Sequence, residues 1–349
     1  MDEAKKSKKK RIIIIVVCCI LTLILVLLVG VTIWWKSFFG KMERLDATEN
    51  TLSSKDESIV LQEGEKETVS TDFTGPTYTQ EEVTVPTEPV ENITNSDNVV
   101  HILLVGQDRR SGQSRQRSDA MILCTVNKTE KTLVFTSFLR DTWVSIPGYY
   151  NERLNVPYAL KGFSLLNDTL EHNFGVRADY NVEVDFSGFE KVIDAVGGVT
   201  VSLTAAEAHH LNQKNATWAL AQGENLLNGK QALDYARIRA LDSDFGRTNR
   251  QRTVLYALVE QTKNLSVTQM YELAQSVLPM VRTDLTDADI LKLITEIAPI
   301  LPQLTVTDQS IPYGNAYQFA SIDGKSVIVL NDENLKKNLE RLKETIGGE

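Results

Sequence analysis

Apolar and polar positions change period several times along the chain, and each change marks an element. Ile12–Ile33 runs 22 residues without a charge, enough at 1.5 Å per residue for a helix to cross a bilayer core of about 30 Å. Residues 46–98 hold no sustained period, are interrupted by Pro76, Pro86 and Pro89, and read as a disordered linker. From Val99 short apolar runs take over. Val99–Val105, Met121–Val126 and Thr132–Leu139 predict strands, the last two joined by the polar turn Asn127–Lys131. Thr142–Ile146, Tyr180–Val184, Val199–Leu203 and Ser326–Leu330 predict further strands. Helical spacing covers Phe163–Asn173, Phe186–Ala195, Gly229–Ala236, Asn249–Lys263, Thr268–Leu278, Asp287–Ala298 (with Thr286 as its cap) and Asn334–Ile346. Ala205–Gln222 fits neither period and is expected to run over the surface. Strands alternating with helices predict an α/β fold, a three-layer α/β/α domain. The hairpin over 121–139 makes its central β-sheet mixed.

Charge sharpens this division. The chain carries a formal net charge of −9, yet its first eleven residues carry +4. Residues 46–98 hold 13 acids against Lys55 and Lys66, so the acidity belongs to the linker and the folded part is nearly balanced. No nucleic-acid partner is expected. Basic residues before the apolar run place the N-terminus in the cytoplasm, and Trp34 and Trp35 suit the far interface. A cleaved signal peptide would have a shorter apolar stretch and small residues at its end, where this chain has Trp34-Trp35-Lys36. The expected organisation is a cytoplasmic tail (1–11), a transmembrane helix (12–35), an extracytoplasmic linker (36–97) and a folded domain (98–349). That describes a single-pass cell-membrane protein with its folded domain outside. Cys18 and Cys19 lie in the span and Cys124 in a strand, so no disulfide framework is expected.

The candidate chemistry starts in Gly106–Ala120, which holds Asp108 and Asp119 among Arg109, Arg110, Arg115 and Arg117, with no lysine between Gln107 and Asn127. Arginine forks beside carboxylates suit phosphate and a hard cation. A hairpin centred between Thr129 and Glu130 sets Asp119 opposite Arg140, and the first strand delivers Asp108 to the same end. A second zone, again without lysine, holds Arg237, Arg239, Arg247, Arg250 and Arg252. Arg247, Arg250 and Gln251 share a face at a helix N-terminus, where free N–H groups and the dipole favour an anion. These arginines could instead be surface groups paired with Asp234, Asp242 and Asp244; two such loops in one nearly neutral domain favour a polyphosphate site. Other chemistries fit worse. No Gly-Lys-Ser/Thr follows Gly106, no G-x-S-x-G is present, and the histidines lack zinc spacing.

These residues resemble the LytR-CpsA-Psr family of membrane-anchored cell-wall glycopolymer ligases. The resemblance rests on Gly106-x-Asp108-x-Arg110, Arg117-Ser118-Asp119, Arg140-Asp141-Thr142, Ile146-Pro147-Gly148, Asn155, Asp185-Phe186, Gly197-Gly198-Val199, Leu227-Asn228-Gly229, Ala232-Leu233, Arg237-x-Arg239 and Asp244-Phe245-Gly246-Arg247-x-x-Arg250-Gln251. These motifs span 99–261 in order; Phe138-Leu139 before Arg140 departs from the family's usual apolar residue and proline. The resemblance implies a phosphotransferase that moves an anionic glycopolymer, of teichoic acid or capsular polysaccharide type, from undecaprenyl pyrophosphate to peptidoglycan, with Mg²⁺ or Mn²⁺. It implies that Asp108 and Asp119 hold the metal, that Asp119, Asp108 and Arg140 are catalytic, and that Arg110, Arg117, Arg140, Arg237, Arg239, Arg247 and Gln251 bind pyrophosphate. The prenyl tail would need an apolar channel, for which Phe163, Phe174, Phe186 and Phe189 are candidates, though better suited to a core. A prenyl-pyrophosphate hydrolase and a non-enzymatic envelope regulator or transcriptional attenuator are the alternatives. An eleven-residue cytoplasmic tail is too short for a DNA-reading module.

Overall fold

The turn at Asn127 sets the register of the central sheet. Asn127 Oδ1 accepts the N–H groups of Thr129 and Glu130, and Lys131 takes a positive φ of 55°. The joined strands pair Ile122 with Ser137 and Asn127 with Thr132, the register counted from the sequence.

The computed structural model describes residues 76–93, 96–107, 115–263 and 276–347, the pair Glu43–Arg44 and the isolated residues 265, 269 and 273. Its strands are β1 (Glu43–Arg44), β2 (Thr77–Tyr78), β3 (Val99–Gln107), β4 (Ser118–Asn127), β5 (Thr132–Phe138), β6 (Trp143–Val144), β7 (Glu152–Arg153), β8 (Tyr180–Asp185), β9 (Val199–Leu203), β10 (Gly223–Leu227), β11 (Arg282–Thr283), β12 (Thr305–Ile311), β13 (Gln318–Ile322) and β14 (Lys325–Val329). The helices are α1 (Val156–Phe174), α2 (Phe186–Ala195), α3 (Ala205–Lys214), α4 (Gly229–Ala236), α5 (Asp244–Thr262), α6 (Asp287–Ile297) and α7 (Asp332–Ile346). Seven strands form the main sheet in the order β1-β11-β8-β3-β4-β5-β12. The pairs β3–β8 and β5–β12 are parallel and β3–β4–β5 antiparallel, so the sheet is mixed, as expected.

Alternate residues of the central strands face opposite ways, and both faces are covered. Leu103, Val105, Met121 and Leu123 pack with Leu166, Leu170 and Phe174 of α1 and Leu342 and Ile346 of α7. Ile102, Leu104, Ile122 and Cys124 pack with Leu255 and Val259 of α5 and Ile297 of α6. Burial raises the pKa of the Cys124 thiol, in keeping with a core residue.

Several expectations are corrected. Ala205–Gln222 does not simply run over the surface. Its first half is α3, opened by a reciprocal Thr204–Glu207 capping box, with Ala208 and Leu211 buried beside Ile193 and Val199. Helix α1 begins at Val156 rather than Phe163, because non-helical backbone at Lys161 and Gly162 breaks its period. Helix α5 begins at Asp244 rather than Asn249, which puts Arg247 in its first turn. The strand expected over Thr142–Ile146 shrinks to Trp143–Val144, while β10, β12 and β13 were not expected. Part of the expected linker also folds. Tyr78, Val83 and Val85 pack on Ala320, Ile322, Val327 and Val329, and the Ile93 N–H donates to the Gly175 carbonyl. Sparse apolar residues there find partners that only distant strands supply. The expected transmembrane helix (12–35) lies outside the described residues, as does most of the expected helix Thr268–Leu278. Among the described residues no helix is long and apolar enough to cross a membrane.

Candidate functional site

Asp119 owes its position to a break in the ladder. Gly106 pairs with Ala120 and Gln107 with Ser118, which leaves Asp119 unpaired between them. Such a bulge bends the strand and re-aims the extra side chain. Arg140, two residues beyond β5, donates from Nη1 to Asp119 Oδ1 at 2.8 Å, the convergence expected from the hairpin count. Arg239 Nη2 reaches the same oxygen at 3.4 Å. Arg247 Nη2 donates to the Asp119 carbonyl at 3.2 Å and pairs with Asp244 Oδ1 at 2.6 Å. Arg247 is 2% exposed, and its Nε has no hydrogen-bond partner. Burial lowers its pKa, partly opposed by Asp244. For Arg140 burial pulls the same way, but Asp141, Asp244 and Asp119 outweigh it and the pKa is raised.

The cluster stands at a cavity of about 460 Å³ between the sheet and helices α2, α4 and α5. Much of the wall is apolar, from Leu104, Ile122, Val184, Leu233 and Leu255. Charged wall residues are Lys214, Arg237, Arg239 and Arg247 against Asp119 and Asp185, so cations exceed carboxylates by two and an anion is favoured. Arg237 lies over the Phe186 ring, 4.1 Å from its centroid. Gln251 reaches the wall with a buried Oε1 that has no hydrogen-bond partner.

Behind Asp119 a series of ion pairs leads away from the cavity. Arg140 Nε lies 3.6 Å from Asp141 Oδ2, and Arg153 Nη1 lies 3.8 Å from Asp141 Oδ1. Arg153 Nε is 3.7 Å from Glu152 Oε1, and Lys325 Nζ of β14 is 2.5 Å from Glu152 Oε2. Burial raises the Asp141 pKa, with Arg140 opposing. Two other arginines of α5 have different company. Arg250 bonds Glu207 at 2.7 Å, both Asp242 oxygens at 3.0 and 2.6 Å, and the Ile238 carbonyl at 3.1 Å. Arg252 pairs with Asp308 at 2.5 Å. Gly246 makes room for this arrangement: a Cβ there would lie 2.2 Å from the Asp242 carboxylate.

The structure therefore brings together Asp119, Arg140, Arg239 and Arg247, with Arg237 and Gln251 on the same cavity wall. Arg140 sits behind Asp119 rather than on that wall, and partly buried Arg117 is also not part of it. Asp108 and Arg110 lie outside the described residues. Among the described residues no group of three or more His, Cys, Asp or Glu could hold a metal. The four phenylalanines separate: Phe186 and Phe189 line the cavity, whereas Phe163 and Phe174 belong to the core under α1. Lys214 and Asp185 were not selected as site residues. Lys214 ends α3, the helix whose period was not recognised; Asp185 caps α2, accepting the Gly188 N–H at 2.7 Å.

A cavity with apolar walls, beside a carboxylate ringed by arginines on a mixed α/β sheet, has the chemistry to suit an anionic amphiphile. The chain belongs to the LytR_cpsA_psr family, whose profile matches residues 62–344. Regulatory protein MsrR of Staphylococcus aureus (strain COL) is 32% identical over 234 residues, 66% of this chain and 68% of that protein. Polyisoprenyl-teichoic acid–peptidoglycan teichoic acid transferase TagU of Bacillus licheniformis is 36% identical over 192 residues, 54% of this chain and 60% of that protein. Among solved structures, that of TagT from B. subtilis covers 76% of this chain and 99% of its own, with 27% identity and a TM-score of 0.59. TagT is also similar in its structures bound to LIIa-WTA and with bound octaprenyl pyrophosphate lipid (TM-scores 0.60 and 0.55, at 28% and 26% identity).

Proposed function

We propose that this chain is a membrane-anchored phosphotransferase that moves an anionic glycopolymer from a polyprenyl-pyrophosphate carrier, undecaprenyl pyrophosphate, to peptidoglycan. The observation that carries this reading is the cavity itself: its apolar walls suit a prenyl tail, and its cationic residues beside Asp119 suit a pyrophosphate. The TagU relative and the lipid-bound TagT support it. The domain is read as three layers, with a transmembrane helix at 12–35 tethering it to the membrane where its insoluble donor resides.

In this reading Arg237, Arg239 and Arg247 bind the pyrophosphate oxygens, and Gln251 presents its amide to them. Arg140 orients Asp119 through their 2.8 Å hydrogen bond. Arg110 and Arg117 add cations from the preceding loop. The acceptor hydroxyl attacks the phosphorus that carries the glycopolymer, and its proton passes to Asp119. The bond from that phosphorus to the bridging oxygen breaks, and prenyl phosphate leaves. Charge spreading over the phosphoryl oxygens is stabilised by arginines already in place. Asp108 and Asp119 would hold Mg²⁺ or Mn²⁺, completed by phosphate oxygens; one or two carboxylates suffice for a cation bound through its substrate. Such an ion would neutralise charge on the pyrophosphate.

The test is to incubate the full-length chain in detergent with lipid-linked donor and peptidoglycan fragments. A glycopolymer–peptidoglycan product is expected from the wild type and not from Asp119→Asn. Hydrolysis products alone would reject transfer in favour of a pyrophosphatase.

A further inference from the structure

A transferase of this kind brings two substrates to Asp119, and the cavity accounts for one. The second has to approach from a surface outside the cavity wall, beside the charged cluster. Asp244 marks such a surface: it pairs with Arg247 at 2.6 Å and lies 3.8 Å from Arg140, yet it does not line the cavity. The next residue, Phe245, begins a run of aromatic rings. Phe245 stacks on Tyr317 with centroids 4.8 Å apart and planes at 28°. Tyr317 meets Phe319 edge to face, with centroids 5.3 Å apart. Phe319 is 45% exposed. Two of these rings come from β13 and the segment before it, the third from the first turn of α5, so the run joins the cluster to the small sheet β14-β13-β2.

Ala320 and Ile322 of β13 are 0% exposed, in a cluster with Trp143, Val327 and Val329. The opposite side leaves a large ring in water beside a charged site. Polar side chains accompany the run: Asp244 precedes Phe245, and Asn249, one helical turn beyond Phe245, is exposed. An aromatic face with hydrogen-bonding groups at its edge matches a pyranose, whose axial C–H groups form an apolar face and whose hydroxyls and amides ring the perimeter.

We propose that Phe245, Tyr317 and Phe319 form the subsite for the acceptor glycan strand, which stacks its sugar rings on them and delivers a hydroxyl to Asp119. The assignment rests on the transferase reading above and adds where the acceptor lies. Phe319 is the specificity-determining ring because it is the most open of the three; Phe245 also anchors the first turn of α5.

The experiment measures direct binding of soluble, uncrosslinked peptidoglycan glycan strands to the full-length chain in detergent, by saturation-transfer NMR and titration, without donor. In parallel, octaprenyl pyrophosphate is titrated into each variant. Phe319→Ala and Tyr317→Ala are expected to weaken strand binding at least tenfold and to leave lipid affinity unchanged. Phe319→Trp, which restores an aromatic face, is expected to bind as the wild type does. Unchanged strand binding in Phe319→Ala, or no strand binding by the wild type, overturns the subsite. Equal loss in Phe319→Ala and Phe319→Trp also overturns it, since a stacking role requires rescue. Failure of the wild type to bind the lipid would instead overturn the transferase reading, so the two failures are distinguishable.

Discussion

Arg247 and Arg250 stand three residues apart on α5, and both are buried, at 2% and 5% exposure. Their surroundings differ. Arg250 is encircled by Glu207, Asp242 and the Ile238 carbonyl, which holds the α4–α5 connection against α3. Burial lowers its pKa, but the hydrogen bonds it donates to Asp242 and Glu207 outweigh that and raise it. Arg247, on the cavity wall, has Asp244 and a shared claim on Asp119, a lowered pKa and a buried Nε without a hydrogen-bond partner. A fully partnered buried guanidinium is a structural tie, whereas a partly partnered one facing a cavity is poised for a ligand. An arginine-rich stretch therefore divides by partners, not by burial.

The sharpest way to break this comparison is to remove both residues in turn. Arg247→Ala is expected to lower kcat on the order of 10³-fold in the transfer assay, the loss typical of a donor to developing phosphoryl charge. Arg247→Lys should restore little, because a point charge does not replace a fork. Arg250→Met is expected to destabilise the fold by about 3 kcal/mol in denaturant unfolding, since it strands Glu207 and Asp242. Its folded fraction should lose less lipid affinity than Arg247→Ala; the reverse order would collapse the distinction.

His101 extends the comparison to a buried base that can shed its charge. Burial pushes its pKa down to about 4, with Asp179 partly opposing. The unfolded chain takes up a proton near pH 6.5 and the fold does not, so stability is full above about 6.5 and declines as pH falls toward 4. Thermal melts should show this slope, and His101→Gln should flatten it. The smallest expected effect is at Gln251. Its replacement by Ala removes one amide from the cavity wall, and lipid affinity should fall about fivefold, or about 1 kcal/mol.

Much of the site was legible because local rules suffice for it. The polar turn at Asn127 gives the hairpin register, and the register places Arg140 beside Asp119. The helical offset of 247 and 251 puts Arg247 and Gln251 on one wall. What could not be read depends on partners far along the chain. The bulge at Asp119 has no composition signal, since it arises from how β3 meets β4. Glu207 looked unremarkable until α3 brought it to Arg250, 43 residues away. Strand β12 sets four consecutive polar residues, Thr307 to Ser310, between Val306 and Ile311; it is held by a parallel neighbour in β5, so neither an apolar run nor an alternation announces it.

The ion pairs behind Asp119 also limit how this sequence can drift. From Lys325 through Glu152, Arg153, Asp141 and Arg140 to Asp119, the signs alternate. Replacing Lys325 alone would leave Glu152, 1% exposed, without its closest cation. Tolerated changes at positions 152 and 325 therefore have to come as pairs, charge exchanged for charge or both removed together. A strand near the end of the chain is in this way tied to a motif at its centre, and comparing related chains at these two positions would reveal the bond as correlated substitution.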